Sequence, residues 1–177
     1  KILVTSDCNE MLNIARKYNV LIDERPAYYA SDECPTSEYF HYLSTICPTN
    51  NMIYSPVTSP FITSKDYENM INIYKNKDFH LTYDSITTTE ILHEFIYVNK
   101  KPLLFKSNNL PKSQDIKGIE KLSFGCSILP TVILKERSFI FGNKPYFYNF
   151  KNTLKNIDID TENDFIIAEL VYKNKLI

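Results

Sequence analysis

Apolar residues follow two alternating rhythms along this chain: short uninterrupted runs, and segments spaced by three and four. Ile2-Leu3-Val4 is a run that predicts a buried strand, and Met11, Leu12, Ile14, Ala15 and Tyr18 follow at helical spacing behind Asp7-x-x-Glu10, a helix-start pattern. Val20-Leu21-Ile22 predicts a second strand. Arg25 to Asp32 is a loop, because Pro26 restricts its neighbour and the apolar period is lost. A helix capped by Thr36 or Ser37 turns Phe40, Leu43 and Cys47 inward. Met52-Ile53-Tyr54 makes a third strand and runs into the proline- and hydroxyl-rich turn Ser55 to Pro60. A helix starting near Thr63 or Ser64 carries Tyr67, Met70, Ile71 and Tyr74 on one face, and Phe79 to Tyr83 alternates as a fourth strand. Strand followed by helix, repeated, predicts an α/β fold.

From residue 84 to residue 130 that rhythm lapses. Ile91 to Val98 and Leu103 to Phe105 predict a hairpin around Asn99-Lys100-Lys101-Pro102, followed by a polar arm from Lys106 to Lys121. Such a segment is either an inserted arm that packs on another subunit or a long surface excursion. Cys126 to Leu129, Phe139 to Phe141 and Tyr146-Phe147-Tyr148 are strand-like. Near the C-terminus, Ile157-Asp158-Ile159-Asp160 alternates apolar and acidic residues. Read as a strand, it sends both carboxylates from one face with their Cα atoms roughly 6.5 Å apart, a spacing that suits one Mg²⁺ ion. Thr161-x-x-Asp164 then starts a helix bearing Phe165, Ile166, Ile167, Ala168, Leu170 and Val171. The same acidic residues also fit a plain helix start, with Asp160 or Thr161 as cap, Glu162 and Asp164 at the positive end of the dipole and Asp158 solvated.

Composition narrows the classes. Apolar residues make up 44% and charged residues 23% of 177 positions, as in a globular domain that buries a core of its own. With 20 Lys and Arg against 21 Asp and Glu, the net charge of −1 points away from a nucleic-acid or membrane-surface partner. Cys8, Cys34, Cys47 and Cys126 form no C-x-x-C pair and predict reduced thiols in a cytoplasmic protein. Only Gly118, Gly125 and Gly142 are present, so no glycine-rich phosphate loop occurs in the sequence. His41, His80 and His93 are scattered, without acidic or Cys neighbours at ligand spacing.

Several segments, in order, resemble the N-acylneuraminate cytidylyltransferases, or CMP-sialic acid synthetases. They are Ile2-Leu3-Val4-Thr5-Ser6-Asp7, Glu24-Arg25-Pro26-Ala27 through Ala30-Ser31-Asp32, Val57-Thr58-Ser59-Pro60-Phe61, Lys112-Ser113-Gln114-Asp115, and Ile157-Asp158-Ile159-Asp160-Thr161-Glu162-Asn163-Asp164-Phe165. The resemblance implies a Rossmann-like nucleotidyltransferase fold, three layers α/β/α about a mostly parallel sheet. Residues 1–177 would form one cytidylyltransferase domain, with 84–130 as a hairpin-bearing dimerisation and substrate arm in a homodimer. It implies joining of CTP to a nine-carbon α-keto sugar acid with release of pyrophosphate, using Mg²⁺ or alternatively Mn²⁺. Asp158 and Asp160 become the metal ligands and Arg25, Thr36, Thr58 and Ser59 the nucleotide contacts. Lys112, Gln114, His93 and Phe139 fall on the sugar side, Phe139 otherwise serving in an aromatic core.

The departures from the family carry information too. Its opening strand and Gly-, Ser- and Lys-containing loop are not found, so the domain is expected to be incomplete at its N-terminus. On the sugar side, Thr58-Ser59-Pro60 is followed by Phe61-Ile62, Ser113 stands where an Arg is usual, and the usual Asn-Gly-Ala-Ile-Tyr is replaced by Phe124-Gly125-Cys126-Ser127-Ile128. Two rivals follow: a non-catalytic homologue acting as a binding or dimer-partner protein, and a cytidylyltransferase for a different acid sugar.

Overall fold

A computed structural model describes residues 1–177. It contains eight strands and six α-helices in a mixed α/β fold. The chain divides into two compact units. The first comprises Lys1–Tyr54, Ile73–Ile86 and Ser127–Tyr146, and the second Ser55–Asn72, Thr87–Cys126 and Phe147–Ile177. No helix is long and apolar enough to cross a membrane.

In the first unit, β1 (Leu3–Ser6) and β2 (Leu21–Glu24) pair in parallel, Leu3 opposite Leu21 and Ser6 opposite Glu24, joined by α1 (Asn9–Arg16). Asp7 does not cap α1. Cys8 holds that position without a side-chain bond, and its N–H donates to Ser6 Oγ at 3.1 Å. Only Leu12 and Ala15 of the helical stripe are buried; Met11, Ile14 and Tyr18 are exposed. Asn19, at φ 55°, turns the chain out of the helix, a conformation Asn tolerates better than most residues.

Helix α2 (Thr36–Ile46) begins after Pro35, which occupies the N-cap, so Thr36 and Ser37 lie inside the first turn and do not cap it. It sets Phe40, Tyr42 and Leu43 into a core with Leu129, Leu134 and Ile140. Strand β3 (Asn51–Tyr54) pairs antiparallel with β7 (Ile119–Pro130), Asn51 opposite Pro130 and Tyr54 opposite Ser127. Helix α3 (Ser64–Tyr74) follows β3 in sequence. Phe79 to Tyr83, expected as a strand, is instead one helical turn, α4 (Phe79–Thr82). Phe79 is buried, and Tyr83 donates its N–H to the Phe79 carbonyl at 2.8 Å, so the two rings lie one turn apart on one side. Helix α5 (Thr131–Arg137) packs on α2, and the expected strand at Phe139 to Phe141 is a bend that supplies Ile140 to the core. Gly142 is required there because the Asp84 carboxylate occupies the space of a β-carbon while accepting the N–H groups of Asn143 and Lys144.

The unit boundaries fall within β4 (Ser85–Leu92), β7 and β8 (Pro145–Asn149), and the four-stranded sheet has the order β3-β7-β4-β8. β1 and β2 pair in parallel, but β7 returns from the long excursion running opposite to β3. In the second unit, β5 (Tyr97–Val98) and β6 (Lys101–Pro102) pair antiparallel. Their turn residues Asn99 and Lys100 have φ of 50° and 64°, the sign required of a two-residue type I′ turn. This hairpin is shorter than the sequence suggests, since Ile91 and Leu92 belong to β4. The last helix, α6 (Glu162–Lys173), buries Ala168 and Val171 against Phe61.

Candidate functional site

In the second unit, residues 157–160 form an extended loop between a short 3-10 turn, Thr153–Asn156, and α6. The predicted strand is therefore absent, yet its alternation survives. Ile157 and Ile159 pack against the Phe61, Ala168 and Val171 core, and the intervening Asp158 and the following Asp160 line a cavity of about 460 Å³. One backbone bond replaces a ladder: Ile159 N–H donates to the Thr58 carbonyl at 2.9 Å, which brings the Thr58-Ser59 turn beside the acidic loop.

Both ends of the loop are fixed. Upstream, Lys155 Nζ contacts the two Asp66 carboxylate oxygens at 2.7 and 2.6 Å, and Asp66 also accepts the N–H and hydroxyl of Thr63 ahead of α3. Burial alone would push the Asp66 carboxyl up, but hydrogen bonds from Lys155 and Thr63 outweigh it and hold the group below its ordinary value. Downstream, Asp164 Oδ2 accepts the N–H groups of Asp160 and Thr161 at 3.3 and 2.8 Å and the Thr161 hydroxyl at 2.7 Å, completing a capping box. The Thr161 hydroxyl and its backbone N–H hold the Asp164 carboxyl below its usual range. Of the three cavity carboxylates, Asp164 is thus committed to the helix start.

Asp158 is in a different state. Its Oδ1 is buried without a hydrogen-bond partner, as are Asn156 Oδ1 and Ser59 Oγ. These three atoms lie on the two segments that the Ile159–Thr58 bond joins, and buried oxygens of this kind are normally satisfied by protein, water or a bound group. Across the cavity, β7 contributes Lys121, Leu122, Ser123 and Phe124. Thr88 Oγ1 on β4 accepts both the Ser123 hydroxyl at 2.9 Å and the Cys126 N–H at 3.1 Å, spanning Phe124 and Gly125. A β-carbon at Gly125 would stand 3.3 Å from Thr88 Oγ1 and 2.8 Å from Ile62 Cδ1, the movable end of a side chain.

No group of three or more His, Cys, Asp or Glu side chains is placed to hold a metal. Asp158 and Asp160 still fit Mg²⁺, which commonly takes one or two protein carboxylates and completes its octahedron with phosphate oxygens and water. The unpaired Asp158 Oδ1 is the observation that supports the fit.

The other expected site residues are dispersed. Thr58 is half-buried and Ser59 buried beside the acidic loop, whereas Lys112 and Gln114 are exposed around the 3-10 turn Ser113–Asp115, and His93 sets Nδ1 2.9 Å from the Ile116 carbonyl. None of Lys112, Gln114 and His93 lines the cavity. In the first unit, Arg25 donates to the Thr5 carbonyl at 2.8 Å and lies over the Tyr39 ring at 5.0 Å. Thr36 is exposed, and Phe139 stacks edge-on against Phe40 and Phe141 in the core. Lys121, Phe124 and Asn156 were not anticipated. Asn156 adjoins the acidic motif and Phe124 stands where the resemblance expects Asn, but a lysine on a strand carries no such signal.

No protein-family model and no curated protein matches the sequence. The bifunctional IspDF from Campylobacter jejuni, a solved structure, superposes with a TM-score of 0.61 at 14% identity, covering 94% of this chain and 41% of that one. The fold is therefore shared with a portion of IspDF. The chain spans well under half the length of that protein.

Proposed function

We propose that the chain is a cytidylyltransferase that joins CTP to a sialic-acid-like nine-carbon α-keto sugar acid and releases pyrophosphate. The observation that carries this reading is the buried, unpartnered Asp158 Oδ1 in a cavity shared with Asp160, within the motif that resembles the synthetases. The α/β fold shared with part of IspDF is compatible with it.

In this reading the sugar's anomeric hydroxyl attacks the α-phosphorus of CTP, and the bond to the bridging oxygen breaks as pyrophosphate leaves. Asp158 and Asp160 would hold Mg²⁺, which when bound shields the triphosphate and stabilises the leaving group. Asp164 keeps the loop in place through the α6 cap, and the Asp66–Lys155 pair does so from the other side. Ser59 offers its unpaired hydroxyl to the nucleotide, with Thr58 alongside. The resemblance alone assigns Arg25 and Thr36 to the nucleotide, Lys112, Gln114 and His93 to the sugar, and residues 84–130 to a homodimer contact in a cytoplasmic enzyme; Phe139, packed in the aromatic core, is left out of the site.

The test is CTP-dependent pyrophosphate release with N-acetylneuraminate and Mg²⁺. Asp160→Ala is expected to lower turnover by about 10³-fold or more with the circular dichroism spectrum unchanged. Retained turnover in that variant would sink the metal assignment, and a folded wild-type chain that binds no CTP would favour the non-catalytic reading.

A further inference from the structure

Phe124 has φ 53°, within the left-handed region, and it is neither Gly nor Asn. A bulky aromatic residue is a genuine outlier there, and such strain persists only where the surroundings over-determine it. They do here, because Thr88 Oγ1 bonds on both sides of Phe124 and Gly125, at Ser123 and Cys126. Lys121 and Phe124 line the same cavity as Asp158 and Asp160, and the Phe124 ring is exposed there. Lys121 is the single cationic residue lining that cavity, and its ion pair with Glu90 is long, 3.5 Å, with a mostly exposed side chain.

We propose that Phe124 and Lys121 form the acceptor half of the cavity, the ring packing against the C–H face of a pyranose-type ring and the ammonium pairing with its carboxylate. This rests on the cytidylyltransferase reading, and it names which residues select an acidic sugar. A nucleobase would also stack on Phe124 but has no carboxylate for Lys121, so the pair of side chains favours the sugar acid. Lys121 exchanges a loose partner, Glu90, for the ligand.

Titrations of N-acetylneuraminate, of its methyl ester and of Mg²⁺-CTP into the wild type, Phe124→Gly and Lys121→Met separate the possibilities. Phe124→Gly is expected to weaken the acid and the ester each about 10-fold. Its CTP affinity should stay within about twofold and its melting temperature should be unchanged or higher, because Gly adopts this φ without strain. Lys121→Met should weaken the acid and leave the ester unchanged. Unaltered sugar affinity in both variants, a wild type that binds neither sugar, or a Phe124→Gly loss confined to CTP would each overturn the proposal. Failure of the wild type to bind CTP while the sugar pattern holds would overturn the cytidylyltransferase reading alone.

Discussion

Four carboxylates in the second unit show how neighbours, more than residue type, decide a role. Asp164 accepts three donors and Asp66 is paired with Lys155, while Asp158 keeps a buried oxygen without a donor and Asp160 is exposed on the same cavity. Asp66 yields a pH prediction. Its folded pKa lies below the ordinary 3.8, so the pair's stabilisation is fully present above that value and is lost as pH falls through the lowered pKa. Melting temperatures between pH 6 and pH 2 should therefore drop more steeply for the wild type than for Asp66→Asn. Removing Lys155 alone, as in Lys155→Met, leaves a buried charge and is expected to cost about 3 kcal/mol at neutral pH, read by urea denaturation. Thiols divide in a similar way. Burial pushes the Cys126 thiol up to about 12. At Cys47 burial would raise it, but hydrogen bonding with Thr131 and Thr49 outweighs this and lowers it. At pH 8, iodoacetamide should modify Cys47 while Cys126 stays protected in the folded chain, as peptide mass mapping would show.

At the scale of elements, the start of α6 decides where the acidic loop ends. Thr161→Ala removes the hydroxyl half of the capping box, leaves the backbone N–H of residue 161 on Asp164, and should cost about 1 kcal/mol. It should also raise hydrogen exchange at the N–H groups of residues 162–164 more than at the helix centre, since fraying begins at the cap. Outright loss of the whole helix would contradict that. The capping box was legible because both partners are three residues apart and nothing distant competes for them. Residues 157–160 show the limit of such reading. Their period-two pattern is real, with Ile157 and Ile159 packed on the core, but a strand also needs a neighbour to pair with, and here Thr58 supplies one bond in place of a ladder. Phe79 to Tyr83 misleads for a related reason: in five residues, the alternation of a strand and the i, i+4 pair of one helical turn place the same end residues together. Thr36 stands at a helix start in sequence, but Pro35 takes the capping position. The left-handed Phe124 had no local signal at all; the bonds on either side of it run to Thr88, 36 positions earlier by number.

At the scale of the whole molecule, strand-then-helix order made an α/β fold readable, and strand direction did not follow from it, because β7 reaches β3 only after a long excursion. Two compact units each hold a core, so a ligand in the second unit can be read out by stability without any turnover. The buried Asp158 Oδ1 without a partner carries an uncompensated desolvation cost, which a divalent ion carrying a triphosphate would relieve. Binding to the folded chain alone stabilises by about 2.7 kcal/mol at a hundredfold excess over Kd. For a chain of this size that corresponds to a rise in melting temperature of roughly 5–10 °C. Mg²⁺ with CTP should produce such a rise, and CTP with chelator a smaller one. Asp158→Asn should lose the Mg²⁺-dependent part, and its ligand-free form should melt no lower than the wild type because one buried charge has gone. Equal shifts in the wild type and Asp158→Asn would place the metal elsewhere.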